Sequence, residues 1–185
     1  METNSEQALP AGLAERPVDP RRKLPIPAVN EREDGTADFL VINGRRALEL
    51  ASRRQCGVCA KPMGERVAFI GGPNSAASGA FSDPPMHVDC AEAALRLCPH
   101  IARQHARRAG EGRTDPGATV PDGFMGDKPS EWVLVETQGY AMVLAPAAGG
   151  GRVPVFLATT YEAVRRFGYV EGVLVEQEGQ ATARP

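Results

Sequence analysis

The sequence predicts an α+β fold, a Cys/His-stapled unit followed by a small, mostly antiparallel sheet. Three observations carry that expectation. Short β-branched and aromatic runs bounded by turn residues, such as "ERVAFIGG" (65–72) and "EWVLVE" (131–136), read as strands. Two segments, 45–55 and 87–101, place apolar residues at three- and four-residue steps and read as helices. Two pairs of soft ligands at matching spacing, Cys56/Cys59 and His87/Cys90, flank the first strand.

In chain order, residues 1–35 read as a disordered tail. "PAGLAERPVDPRRKLPIPAVNEREDG" holds five prolines, many charges and no usable periodicity, and such a segment buries too little apolar surface to offset the entropy of ordering it. "DFLVING" (38–44) reads as a short strand ending on an Asn-Gly turn, and "RRALELASRRQ" as a short helix leading to Cys56. After the strand at 65–72, residues 71–86 form a loop by composition. The next helix starts near Pro85–His87, with Cys90, Ala94, Leu97 and Ile101 on one apolar face. Pro99 breaks or kinks it, and "HIARQHARRAGEG" resumes it.

Residues 110–130, rich in Gly, Pro and Asp, read as a linker. "EWVLVE", "YAMVLAP" and "VPVFLA" are expected as three strands, the last two joined by the flexible "AAGGGR". Thr159-Thr160-Tyr161-Glu162 reads as a capping box for a short helix "YEAVRRF", and "GVLVEQE" as a last strand. The expected organisation is therefore a zinc module over 38–109 and a β-rich module over 131–178.

Cys56 and Cys59 at C-x2-C spacing put two thiolates on one side of an ion. His87 and Cys90, three apart in a first helical turn, share one face and supply the second pair. Three sulfurs and one imidazole suit tetrahedral zinc, and a set that fills all four positions suits a structural rather than a catalytic ion. One structural zinc is the expected cofactor. The order knuckle, hairpin, loop, helix resembles treble-clef zinc modules. Its outline is similar to the adaptor-binding zinc domain of the Clp protease's unfoldase partner, from which it departs by a longer 73–85 loop and by His87 in place of Cys. The runs "LPIPA", "DGTADFLVING", "CGVCAKPMG", "AFIGGP", "DPPMHVDCA" and "CPHIA" are similar to small uncharacterised proteins of bacteriophages and actinobacteria. That resemblance covers roughly 24–105 and implies a zinc module in a phage or mobile-element setting, with no reaction attached.

Charge is uneven along the chain. Residues 45–113 carry 11 basic and 6 acidic side chains, against 5 and 8 in 1–44 and 5 and 9 in 114–185. Arg45, Arg46, Arg53, Arg54, Lys61, Arg66, Arg103, Arg107 and Arg108 are candidate phosphate contacts. Phe69 and Phe81 are the aromatic residues of that segment, which gives little support to stacking on single strands. Cys98 reads as a packed thiol, and His100 and His105 as exposed or capping residues.

"GGPNSAASG" lacks the Gly-Lys-Ser/Thr of a phosphate loop. Asn74 and Asp83 have no free His beside them for a His-Asn-His nuclease site, and no catalytic set is expected. No apolar run approaches the roughly 18 residues of a membrane span, and the acidic first residues do not read as a secretory signal. A cytoplasmic setting with reduced or metal-bound cysteines is expected. The leading functional expectation is a protein-interaction or adaptor module. The alternatives are a nucleic-acid-binding accessory protein using the basic segment, and an enzyme or thiol-redox protein.

Overall fold

The computed structural model describes residues 8–39, 42–104, 128–147 and 150–178. It is an α+β structure with two antiparallel sheets and short helices. In chain order the elements are α1 (Ala11–Ala14), a 3-10 turn (Ala28–Asn30), α2 (Gly44–Ser52), β1 (Val67–Gly71), α3 (Pro73–Ser78), β2 (Ala80–Phe81), α4 (Val88–Leu97), α5 (Pro99–Ala102), β3 (Glu131–Thr137), β4 (Tyr140–Pro146), β5 (Arg152–Ala158), β6 (Tyr161–Val170) and β7 (Val173–Gln177). One sheet has the order β1-β3-β6-β7 and the other β2-β5-β4.

Strands β3 and β4 are consecutive in sequence yet belong to different sheets. The switch is built at Thr137, where the β3–β6 register shifts between Glu136 and Thr137. Thr137 is the fully buried polar side chain among the described residues. Its hydroxyl lies 3.1 Å from the Gly139 carbonyl, 2.9 Å from Thr159 Oγ1 and 3.0 Å from the Thr160 carbonyl. Thr159 and Thr160 are thus held by this corner rather than capping a helix.

The segment "YEAVRRF" is strand β6, where a helix is expected from sequence. Tyr161, Val164 and Phe167 are buried at three-residue steps, which mimics helical periodicity. The override is tertiary: β6 pairs with β3 along its length, from Tyr161 opposite Thr137 to Gly168 opposite Glu131. Residues 71–86 also differ from the expected loop, since α3 and β2 occupy them. Pro73 opens α3 at a position that needs no N–H, and Gly79 closes it with φ 76°. In "DFLVING", Leu40 and Val41 lie outside the described residues; Asn43 caps α2, its side chain accepting from Arg46 N–H at 3.1 Å. Pro99 does end α4, and α5 follows directly; the expected continuation past residue 104 and the 110–127 part of the linker lie outside the described residues.

Two larger expectations are corrected. Residues 8–35 do not form a loose tail: Leu13, Ile26, Ala28 and Val29 are buried, and Ala28 N–H and Val29 N–H donate to the Val58 and Gly57 carbonyls at 2.8 and 2.9 Å. The prolines that suggest disorder here fix an extended path instead. Residues 38–109 and 131–178 are not separate modules either. Strand β1 is hydrogen-bonded to β3, and one buried cluster runs from Leu13 to Phe167. Phe69 of β1 stacks on Phe81 of β2 at 4.9 Å and meets Tyr140 of β4 edge-on at 6.1 Å, which joins the two sheets.

All three tyrosines of the chain reinforce this union. Each sits on one of the strands after residue 130 and donates its hydroxyl to a carbonyl on a helix that precedes them: Tyr140 to Ala51 at 2.7 Å, Tyr161 to Ala76 at 2.6 Å and Tyr169 to Ile101 at 2.6 Å. Arg165 on β6 adds ion pairs to Glu92 of α4 and Glu176 of β7. Removing the buried Tyr161 hydroxyl (Tyr161→Phe) orphans the Ala76 carbonyl and should cost about 1–2 kcal/mol. Urea denaturation should show one transition, with the far-ultraviolet signal and the fluorescence of the single tryptophan, Trp132, moving together. Two separated transitions would restore the two-module organisation.

Candidate metal centre

The knuckle at Cys56–Cys59 is a tight turn closed by its own backbone. Cys56 N–H donates to the Lys61 carbonyl at 2.9 Å, and Ala60 N–H donates back to the Cys56 carbonyl at 2.9 Å. Ala60 adopts φ 61°, a left-handed conformation that L-residues enter at some cost. Amides also point at sulfur: Val58 N–H and His87 N–H each lie 3.4 Å from Cys56 Sγ.

The second ligand pair arrives through Pro84-Pro85-Met86, which rides on the knuckle. Both prolines are fully buried, and Gly57 N–H donates to the Pro85 carbonyl at 3.0 Å. A methyl group at Gly57 would stand 2.5 Å from Pro84 Cγ, so this close approach requires glycine. Met86 then bridges Ala68 of β1 through a reciprocal pair of hydrogen bonds at 2.8 and 3.0 Å. His87 follows as the N-cap residue of α4, and Cys90 lies on its first turn.

These elements bring Cys56, Cys59, His87 and Cys90 together. Their ligand atoms all lie within 4.8 Å of one another, with the three cysteines buried and His87 half-buried. His87 Nδ1 faces the sulfurs, 3.3 Å from Cys59 Sγ and 3.9 Å from Cys90 Sγ. His87 Nε2 lies 3.0 Å from the Pro62 carbonyl. A carbonyl only accepts, so this contact places the ring proton on Nε2 and leaves the Nδ1 lone pair for an ion. A tetrahedron of bonds of 2.0 to 2.3 Å spaces its corners by about 3.3–3.8 Å, and the Nδ1–sulfur contacts of 3.3 and 3.9 Å lie close to that spacing.

The thiols share negative charge unequally. Hydrogen bonds from Cys59 and then Cys90, with backbone N–H groups behind them, hold Cys56 down to about 3. The same cluster pushes Cys90 well above the usual thiol range, first through Cys56 and Cys59 and then through burial. One anion at the centre opposes a second, which is the electrostatic condition a bound dication relieves. The four residues can therefore hold one metal ion.

Sequence reasoning missed the cover of this site. A methyl group at Gly12 of α1 would fall 3.1 Å from Cys59 Sγ and 3.0 Å from Lys61 Cγ, so the segment read as a tail lies against the ligand set. The signal was present in the sequence as Gly12 beside the apolar Leu13, but the surrounding prolines and charges masked it.

The remaining candidates fall elsewhere. Cys98 is half-buried at the α4–α5 junction and packs against the core, outside the ligand cluster. His100 sits edge-on to Trp132 at 5.7 Å. Of the basic candidates, Arg46 and Arg53 pair with Glu49, Lys61 with Glu15, and Arg66 with Glu136 and Glu162. Arg54 donates to the Gly64 carbonyl and lies over the Tyr140 ring. Arg103 is exposed at the end of α5, and His105, Arg107 and Arg108 lie outside the described residues.

The knuckle's dependence on Gly57 gives a controlled test. Gly57→Ala should weaken metal binding by about tenfold or more, the range for disturbed outer-shell support. Gly64→Ala, where an added methyl meets nothing within 4 Å, should leave it unchanged. Chelator competition reads both, and equal affinities would detach the Pro84 contact from the site.

Comparison with family models, curated proteins and solved structures gives no match to this chain, so the likenesses drawn from its motifs rest on those motifs alone.

Proposed function

We propose that this chain is a zinc-binding protein-interaction module in which one zinc ion has a structural role. The observation that carries the reading is the closed donor set: three sulfurs and one imidazole, from a knuckle and a helix start, converge with His87 Nδ1 aimed inward. Soft thiolates with one imidazole select zinc among common cellular cations. Four protein donors satisfy a tetrahedral ion, which favours a structural role over a catalytic one. The path from knuckle to β1, across the Ala68–Met86 bridge and into α4, supports a treble-clef arrangement enlarged by α3 and β2.

The interaction half of the reading is supported by apolar surface on β4, where Met142, Val143 and Leu144 are exposed. A nucleic-acid role draws less support, because most described basic candidates already have a carboxylate beside them.

Elemental analysis of protein purified without chelator should give one zinc per chain. Metal binding is folding free energy in small modules, about 10 kcal/mol or more in zinc-finger peptides, so Cys56→Ala and Cys90→Ala should lose both the metal and native circular dichroism. Cys98→Ser should keep both. Retention of zinc by either of the first two variants would overturn the ligand assignment. For the interaction half, tagged protein recovered from its host should keep a bound protein after nuclease treatment. Bound material that vanishes with nuclease, or affinity falling steeply with salt, would transfer the function to nucleic acid.

A further inference from the structure

The two sheets have four outer edges, and three of them are protected. Strand β1 is covered by the reciprocal Ala68–Met86 hydrogen bonds. Strand β7 receives the Arg103–Val173 bridge and the Gln104 N–H to Gly172 carbonyl bond, and carries Glu176 in an ion pair with Arg165. Strand β2 is two residues long. Short length, cover and charge are the devices by which proteins blunt sheet edges.

Among the described residues strand β4 has neither cover nor charge, and its one proline, Pro146, stands at its end. It pairs with β5 on one side in unbroken register from Tyr140–Ala158 to Pro146–Arg152, and it ends its sheet on the other. Its seven residues, Tyr-Ala-Met-Val-Leu-Ala-Pro, carry no charge. Ala141, Met142, Val143 and Leu144 are exposed in succession, so both faces of the strand meet solvent; the last three are 37%, 44% and 49% exposed.

The sequence of this edge indicates what covers it. About Val143, the run Ala141-Met142-Val143-Leu144-Ala145 is chemically palindromic: alanine mirrors alanine, and methionine mirrors leucine. In a two-fold antiparallel pairing each residue faces its mirror position, so Val143 meets Val143, Met142 meets Leu144 and Ala141 meets Ala145. A charge on the strand would face a like charge or an apolar group in its mate. The uncharged, size-matched run meets neither penalty.

We propose that β4 is a self-association edge, on which a second copy of this chain pairs antiparallel about Val143 to form one six-stranded sheet across the dimer. The inference rests on the interaction reading above and names a second copy as the partner. A seven-residue edge is at the small end of interface sizes, so the dimer should be weak, with a dissociation constant in the range of about 1–100 μM.

Sedimentation equilibrium of the zinc-loaded full chain over a wide concentration range should show a monomer–dimer equilibrium. Hydrogen exchange should show β4 amides gaining protection as concentration rises. Val143→Lys sets two lysines opposite each other and should weaken the dimer by about tenfold or more, with zinc content and circular dichroism unchanged because the side chain is already half in water. Val175→Lys, at an exposed position of β7, should dimerise like the wild type. A monomer at every concentration, or a Val143→Lys dimer as tight as the wild type, overturns the proposal. Capture of a different protein, repeated with Val143→Lys, separates the two readings. Nuclease-resistant capture that persists beside a monomeric wild type sinks self-association and leaves the interaction reading standing.

Discussion

The convergence of the knuckle on the first turn of α4 is the constraint around which the N-terminal half is arranged. Four donors cannot lie within 4.8 Å unless Gly57 admits Pro84 at contact distance, Pro85 accepts the Gly57 amide and Met86 is pinned to β1. Each of these is a backbone or proline contact with little rotamer freedom to lose, so ordering the path into His87 costs little side-chain entropy. The thiols themselves oppose the arrangement, since an anion on Cys56 disfavours another on Cys90. A dication converts that repulsion into attraction.

The second level of organisation fastens the sheet to this centre. Tyr140, Tyr161 and Tyr169 reach from strands to carbonyls on α2, α3 and α5. A tyrosine hydroxyl taken from water needs a partner, and carbonyls near helix C-termini have lone pairs to offer, so each contact supplies one. Through α2 and the Ala28–Val58 and Val29–Gly57 hydrogen bonds, the N-terminal segment, the knuckle and the sheet share one core. A metal bound at the Cys/His cluster would therefore brace the frame on which the sheet's tyrosines are held.

The metal set was legible because its information is local: two ligand pairs at three-residue spacing specify a turn and a helix start whatever surrounds them. Strands β1, β3, β4, β5 and β7 were legible for the same reason, their apolar runs ending on Gly, Pro or charged residues. What was not legible depends on partners distant in sequence. The buried Tyr161, Val164 and Phe167 satisfy a helical period, and only pairing with β3 makes them a strand. The prolines of 10–27 look like disorder until Val58 and Gly57 offer acceptors to the backbone that follows. The sheet switch at Thr137 has no signature in the sequence, because two of its three hydrogen-bond partners, Thr159 and Thr160, reach it only after β4 and β5 have turned back.

Charge shows the same dependence in reverse. Residues 45–113 are strongly basic as a stretch of sequence, flanked by two acidic ones. In the fold, Lys61 takes its counter-charge from Glu15 in the first stretch, and Arg66 takes its own from Glu136 and Glu162 in the last. The acidic Glu92 of the basic stretch answers Arg165 of the acidic one. Surface pairs of this kind contribute little stability, about 0–1 kcal/mol each, but they cancel the field that would steer a polyanion. Among the described residues, Lys61 and Arg66 of the basic segment are thus balanced by carboxylates of the stretches on either side of it. The edge of β4 is of the opposite kind: its seven residues carry no charge, so the self-association proposed for it would draw on backbone hydrogen bonding and apolar contact rather than on salt-dependent attraction.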